Sequence, residues 1–492
     1  MKSIKTQLLI LISLTGCLIL GSCKKILDIP LPTDRLPAEQ AYENDKSAGA
    51  VLTGIISTAA GLPVYGSVNS FDGLGFATSL YADDLTHIQS APVLQGTALT
   101  AQYYSNTLSG QSAVQWSLLY RQIYSCNLAI ENLGANQTKL SNYNQWMGEA
   151  LFMRAFSFFD LVNLYGDVPL ALVSDYNVNN NLSRSPKAKV YAQIVQDLKQ
   201  AESMLPMGYL SGTASPTNNR TRPNRAAASA LLSRVLLYIG DYTGAEQHAT
   251  SVIDQSADYQ LSPLNSVFLA NSKETIWALA PETSTAVRDF FLYNNGAPAT
   301  LPTLSALSTF VPAAMSTELI ASFQPGDLRM DNWTLLRSTT TSPANGRFYF
   351  PNKYKSRTNG AEFNIMLRLA EQYLIRAEAR AKTNNIPGAV ADLNVIRARA
   401  RNTAIAGALA DYPTTLTLQE FMDAVLQERR LELFTEQGHR FYDLKRLGLI
   451  DHIMNLYAPQ KGASWSSFKQ YWPIPANDIQ FNPNLSQTPG YN

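Results

Sequence analysis

Cysteine and histidine are scarce in this chain, with 3 and 4 among 492 residues. That supply leaves little material for a zinc cage, a haem or an iron–sulfur cluster, and neither a metal nor another cofactor is expected. A surplus of either charge is missing too, since 39 Lys and Arg stand against 38 Asp and Glu. Nucleic-acid binders carry a basic excess to neutralise phosphates, so the balance argues against that class. Charged residues make up only 16%, whereas apolar residues reach 46% and aromatics 10%, with 24 tyrosines. Such a chain buries a large core and lies far from disordered compositions. Its length suits about three average domains or one large repeat architecture.

The strongly apolar N-terminal run, Leu8 to Leu20, is shorter than the roughly 20 residues that span a bilayer as a helix. It follows Lys2 and Lys5 and precedes Gly21-Ser22-Cys23, which reads as a cleaved signal peptide over residues 1–22. Leu20-Gly21-Ser22-Cys23 looks like a bacterial lipobox, whose small residues let a peptidase reach the bond before an acylated cysteine. Cys23 is therefore the expected lipidation site, and three acyl chains would anchor the chain without a transmembrane helix. Cys17 leaves with the signal and Cys23 carries lipid, so Cys126 stands alone and no intramolecular disulfide is available. Residues 23–37 contain prolines and read as a lipidated tether.

From residue 38 onward helical periodicity dominates long stretches. Met366, Leu369, Ala370, Tyr373, Ala377 and Ala381 recur at i, i+3, i+4 and i+7, and after the break at Pro387-Gly388 the period resumes with Val390, Leu393, Ile396 and Ala400. That makes a helical hairpin. Ala377 and Ala389 have the twelve-residue spacing of the small residues in tetratricopeptide units, where helices approach closely. A second hairpin runs through Ala226 to Ile253 around Gly240-Asp241-Tyr242, with Ser233 where alanine or glycine is usual. Weaker pairs are predicted from 113–132 with 145–165, and from 187–205 with 223–239. Each unit hides only part of its apolar face, so several must stack. The expected fold is mainly α, a tetratricopeptide-like helical-hairpin superhelix decorated by long irregular loops with minor β. Periodicity fails over 61–112 and 255–350, and long irregular stretches on a rigid scaffold are more often functional than connecting. Beyond Tyr471 four prolines argue against a regular helix.

Several segments, in this order, resemble the SusD/RagB family of surface lipoproteins. Gly148-Glu149-Ala150, Arg154-Ala155 and Leu161 through Leu170 look like its central helix and exit turn. Leu367 through Leu374 and Leu393-Asn394-Val395-Ile396-Arg397 are similar to its paired repeat helices. Glu428 through Leu433, Gly438-His439-Arg440 and Asp443-Leu444 resemble its late helical block, and Trp472-Pro473-Ile474-Pro475 with Asn482-Pro483 its ending. The resemblance implies one domain over 38–492, with an N-terminal part to about 260, a C-terminal part from about 260, and ligand-facing insertions at about 61–112 and 255–350. It further implies a lipid-anchored outer-membrane protein facing the cell exterior, which binds oligo- or polysaccharides and delivers them to a SusC-like TonB-dependent barrel. No catalysis is implied.

The residues with chemical potential are weighed accordingly. Asp83-Asp84 suggest a metal or acid–base pair, but adjacent carboxylates point apart, and a helix cap or an arginine partner is the better reading. Glu428, Glu432 and Glu436 lie at i, i+4 and i+8 among Arg429, Arg430, Arg440, Lys445 and Arg446, which favours ion pairing over a catalytic stripe. Glu149 and Arg154, set in an apolar helix, are expected to be buried and paired, and His439 to be structural. Trp116, Trp146 and Trp277 read as core. No catalytic residue is assigned. Aromatic faces bind sugar rings through their apolar C–H surfaces, so Tyr65, Tyr103, Tyr104, Phe291, Tyr293 and Trp333, all in irregular segments, are the candidate ligand contacts. Two other classes compete: an all-α glycoside hydrolase lipoprotein, which needs two carboxylates about 5–10 Å apart in a cleft, and a tetratricopeptide-type adaptor for a protein or peptide.

Overall fold

A computed structural model describes residues 40–62, 73–88, 97–111, 114–281, 286–303, 306–307, 311–340 and 346–491. The signal segment 1–22, Cys23 with its tether, and Tyr65 lie outside the described residues. The first helices are α1 (Asp45–Gly61), α2 (Leu74–Tyr81), α3 (Thr97–Ser105), α4 (Val114–Ala135), α5 (Tyr143–Tyr165), the single turn α6 (Tyr176–Asn179), α7 (Lys187–Met204), α8 (Arg225–Ile239) and α9 (Tyr242–Ile253). Strand β1 (Leu85–His87) falls after α2, and the short hairpin β2 (Tyr209–Leu210) and β3 (Pro216–Thr217) precedes α8. Next come β4 (Thr275–Leu279), α10 (Arg288–Tyr293), β5 (Thr300–Leu301), β6 (Ala313–Met315), α11 (Thr317–Ala321), α12 (Leu328–Trp333), β7 (Thr334–Thr339), β8 (Arg347–Pro351) and β9 (Asn364–Arg368). The chain ends with α13 (Leu369–Lys382), α14 (Ile386–Ala400), α15 (Leu418–Leu433), α16 (His439–Arg446), α17 (Ile450–Tyr457) and α18 (Ala476–Phe481).

The expected superhelix is present. Helices α4, α5, α7, α8, α9, α13 and α14 pack each against the next, and α15 closes on α13 and α14. Local chemistry sets the hairpin bends. Gly240 ends α8 in the left-handed region at φ +80°, which favours glycine, and Asp241 then caps α9 by accepting from the Gly244 amide at 2.9 Å. Asn385 caps α14 in the same way through the Gly388 amide, and Thr417 with Glu420 forms a capping box on α15. Ala377 and Ala389 are fully buried between their helices. Ser233 replaces the usual small apolar residue because its hydroxyl donates to Gln372 Oε1 at 2.7 Å, joining α8 to α13.

Two local expectations are corrected. Met366 belongs to β9 rather than to the following helix, since residues 364–368 pair antiparallel with β4, where Trp277 is buried. In the tail, α18 fits between Pro475 and Pro483: proline at a helix start forfeits no intrahelical bond, so only the interior had to be free of it.

Charge is carried into the core in pairs. Helix α5 is buried along almost its whole length, and its Glu149 and Arg154 meet Arg222 and Asp197. A larger network binds the strands to the late helices. Arg368, at the end of β9, reaches Glu274 at 2.9 Å, Glu432 at 2.6 Å and Glu436 at 2.7 Å. Arg329 meets Asp327 at 2.8 Å and Glu428 at 2.6 Å, Arg399 bridges Glu274 and Glu432, and Lys353 meets Glu436. With Arg397 on Glu428, five cations face five carboxylates. Glu428 and Glu432 on α15, with Glu436 beyond its end at Leu433, thus form an ion-pair network, as their arginine-rich context suggested.

Removing one member strands the rest in a low dielectric, so Glu432→Gln is expected to lower stability by about 3–5 kcal/mol, measured by urea unfolding; a loss below about 1 kcal/mol would show that neighbouring carboxylates compensate. The pH dependence has a definite sign. Burial alone would raise the Glu432 carboxyl, but Arg399, Arg368 and Arg329 outweigh it and hold the group far below the ordinary range. Asp83 is lowered likewise against burial by Arg430 and Arg440, and Asp443 by Arg429 and Arg446. Depressed carboxylates contribute their stability above their unfolded values near pH 4 and lose it as pH falls toward the folded ones. His439 is pushed well down by burial and by Arg234 and Arg429, so it stays neutral when folded and adds a shallower loss below about pH 6.5. Asp289 works the other way, since burial raises its carboxyl to about 7 and it takes up its proton in the folded state first, offsetting His439. Melting temperature should therefore stay nearly level down to about pH 4 and fall below it. An unchanged melting point down to about pH 3 would contradict the role of these pairs.

Candidate functional site

The two segments expected to be irregular, 61–112 and 255–350, instead hold short helices and strands, so Tyr103 and Tyr104 sit on α3, Phe291 and Tyr293 on α10 and Trp333 on α12. Strand β1 pairs antiparallel with β6, which places residues from the first excursion against residues from the second. Asp83 and Asp84 lie just before β1 and are buried. Arg440 donates to both Asp83 oxygens at 2.7–2.8 Å, and Arg430 donates to Asp84 Oδ1 at 2.8 Å. The arginine reading of this acidic pair therefore holds, and the pair fixes β1 onto α15 and α16. Ser316 donates to the Asp83 carbonyl at 2.7 Å and caps α11 through the Leu319 amide.

A cavity of about 450 Å³ opens on this junction, lined by Thr86, His87, Ile88, Tyr104, Phe348, Gln460, Lys461 and Gly462. A neighbouring recess of about 180 Å³ shares Thr86, Tyr104, Gln460 and Lys461 with it and adds Glu318 and Tyr457. Tyr104 lines both. Its hydroxyl lies 3.1 Å from Thr86 Oγ1, its ring is 6.2 Å from that of His87, and Lys461 Nζ sits 5.2 Å from its centroid. The ammonium of Lys461 donates to the Leu80 carbonyl at 2.7 Å and to that of Ala82, capping the end of α2. Burial pushes this lysine down to about 7, with Asp83, Asp84 and Glu318 opposing. His87 is lowered by burial, and its Nε2 has no hydrogen-bond partner among the described residues. Half-buried aromatic rings, an amide, a titratable cation and a carboxylate therefore share one depression. The set matches what recognises a polyhydroxylated ring: a flat apolar face, with donors and acceptors at its edge.

The candidate aromatics named from the sequence do not gather into one platform. Tyr104 faces the cavity, but Tyr103 is fully enclosed, since adjacent helical residues diverge by about 100°. Its hydroxyl accepts from Gln115 at 2.6 Å and its ring meets Trp472 at 5.4 Å. Tyr293 is buried against Phe76. Trp333 is wholly buried, donates to the Leu264 carbonyl at 2.9 Å, and has Lys353 Nζ 4.8 Å from its ring. Phe291 is half-buried against Phe290. Phe348, Tyr457, Gln460 and Lys461 were not picked out from the sequence; the helix-breaking run Ala458-Pro459-Gln460-Lys461-Gly462 was the available signal for two of them.

Comparison with known proteins gives a consistent result. A family model described as starch-binding associating with outer membrane matches residues 61–237, and one for the SusD family matches residues 313–491. The chain belongs to the SusD/RagB family. It is 26% identical to SusD-like protein P2 of Formosa agariphila over the full length of both chains. It is 35% identical over 130 residues to the starch-binding protein SusD of Bacteroides thetaiotaomicron, covering 26% of this chain and 21% of that one. Among solved structures, a laminarin-binding SusD-like protein superposes with a TM-score of 0.73 at 23% identity, over 92% of this chain and all of the other. A SusD superfamily protein from Bacteroides vulgatus gives 0.72 at 21% identity over 91% and 99%. These structural likenesses establish the fold.

The contrast between the two kinds of aromatic can be measured directly. Trp333→Ala should cost about 3–5 kcal/mol of unfolding free energy, and half-exposed Tyr104→Ala markedly less, both read from denaturant titrations. Equal losses would place Tyr104 in the core.

Proposed function

We propose that this protein is a non-catalytic, lipid-anchored outer-membrane lipoprotein that captures oligo- or polysaccharides at the cell exterior and passes them to a SusC-like TonB-dependent barrel. The observation that carries the reading is the depression around Tyr104, where the two loop-rich excursions come together in a member of a family whose named relatives include starch- and laminarin-binding proteins. Tyr104 and Phe348 supply apolar faces, while Gln460 and Glu318 supply edge contacts. The site is built for holding rather than for bond cleavage: Asp83 and Asp84 are each engaged by arginine, and Glu318 has no second unpaired carboxylate among the residues lining the recess. Acylation of Cys23 would keep the module beside its transporter at high effective concentration, so moderate affinity suffices.

Residues 24–492 titrated against a polysaccharide panel should bind at least one glycan without releasing sugar. Tyr104→Ala and Phe348→Ala should each weaken that binding by about tenfold or more, the equivalent of one lost stacking face. Turnover, or full affinity in both variants, would defeat the reading. For the anchor, Cys23→Ala should move the protein out of the membrane fraction, and the wild type should be cut by protease added to intact cells.

A further inference from the structure

A larger cavity, of about 540 Å³, is built from residues none of which line the Tyr104 site. One wall is helix α4, where Trp116, Tyr120 and Tyr124 repeat at i, i+4 and i+8 along one face. The second is the connection after α5 with the turn α6, and the third is α18 with the tail behind it. The walls are fastened together. Tyr120 donates its hydroxyl proton to the Pro169 carbonyl at 2.8 Å, Asn127 donates to the Ala171 and Val173 carbonyls, and Asn482 donates to the Leu182 carbonyl at 2.9 Å. The hollow is therefore preformed.

Its rim exposes what a core would hide. Tyr124, Tyr176 and Phe481 are 49%, 71% and 67% exposed, one from each wall. Within the hollow, Asn179 donates to the Val173 carbonyl at 2.7 Å, yet its Oδ1, shielded from solvent, has no hydrogen-bond partner among the described residues. Asn180 and Asn477 add two more amides to the lining. Among the described residues no lysine or arginine lines the cavity, and Asp478 is the one charged residue that does. Burial raises the Asp478 carboxyl, which the Trp116 side chain steadies by a hydrogen bond. A buried oxygen with no donor, planar amides and open aromatic faces call for a ligand rich in hydroxyl groups. Arg184 stands near Tyr120 but donates to the Asp167, Gln487 and Tyr165 carbonyls, so the lone carboxylate of the lining calls for a ligand without negative charge.

We propose that this cavity is a second saccharide site, which takes an uncharged sugar ring against Tyr124, Tyr176 and Phe481 and offers it the free amide oxygen of Asn179. It rests on the glycan-binding reading but uses separate walls, and it differs in charge from the first site, where Lys461 stands.

The test uses residues 24–492 as wild type, Tyr104→Ala, Tyr176→Ala with Phe481→Ala, and all three combined. Each is titrated with neutral gluco-, manno-, xylo- and galacto-oligosaccharides and with a uronate oligosaccharide, and hydrogen exchange is followed over 176–182 and 477–485. The exposed positions of Tyr176 and Phe481 leave the melting temperature unchanged. Tyr104→Ala should retain a neutral oligosaccharide that protects both segments and excludes the uronate, and adding Tyr176→Ala with Phe481→Ala should weaken it at least tenfold. Loss of all binding in Tyr104→Ala, or protection confined to segments around residue 104, overturns the second site and leaves the first intact. Absence of any oligosaccharide binding by the wild type overturns both. A uronate bound as tightly as a neutral sugar, or burial of Tyr176 and Phe481 by another protein with no saccharide effect, also refutes the proposal.

Discussion

The buried ion network around Arg368 and Glu432 is the constraint on which the rest of this structure depends. Repeat helices alone need contact only their neighbours. Here the late helix α15 must also hold strands and loops drawn from the middle of the chain, and it does so through charge. Arg368 comes from β9, Glu274 precedes β4, Arg399 ends α14 and Arg329 belongs to α12, yet all converge on α15 or on its partners. Apolar packing tolerates small slips in register, whereas paired charges in a low dielectric do not. The network therefore fixes the position of the irregular region relative to the helical frame. Trp333 is part of the same arrangement, with Lys353, Arg368 and Arg399 each within 6 Å of its ring.

That role explains what could be read from the sequence. The hairpins were legible because their information is local: apolar periodicity, a glycine bend and an aspartate or asparagine cap occupy neighbouring positions. Pairing of Glu149, Arg154 and the α15 glutamates was legible as well, since an isolated charge in an apolar stretch must find a partner. The site was legible only as a region. An aromatic residue in an irregular segment can face a cavity or fill the space beneath a loop, and composition is the same in both cases. Tyr103 and Tyr104 make the point within one turn of helix, one enclosed beside Trp472 and the other open on the cavity. Trp333 was misleading for the same reason. Residues such as Phe348 and Lys461 come together with Tyr104 through the β1–β6 pairing, the packing of β8 on β6 and the Lys461 bonds to the Leu80 and Ala82 carbonyls, all long-range in sequence.

The described residues also suggest a division between what is rigid and what recognises. Frame helices carry buried, compensated charge and close-packed alanines, while the two cavities open on short elements between them and on the outer face of α4. A stiff frame lowers the ordering required when a ligand binds, because the contact faces are already in place. The hydrogen bonds that fasten Pro169 to α4 and Ser316 to the Asp83 carbonyl serve that end at the two cavities.

Between the two cavities runs a buried series of ring contacts: Trp116 with Tyr165 at 5.0 Å, Tyr165 with Trp472 at 6.4 Å, and Trp472 with Tyr103 at 5.4 Å. A chain of packed side chains invites an allosteric interpretation, but energetic coupling requires an element with two arrangements that both sites bias. These rings are buried in a close-packed core, where a second arrangement would open voids. The series is better understood as a common floor on which two independent depressions rest. Independence has its own use for an extended polymer. Once one stretch is held, a second contact on the same chain becomes intramolecular, and its contribution is set by span and linker stiffness rather than by any change of shape in the protein.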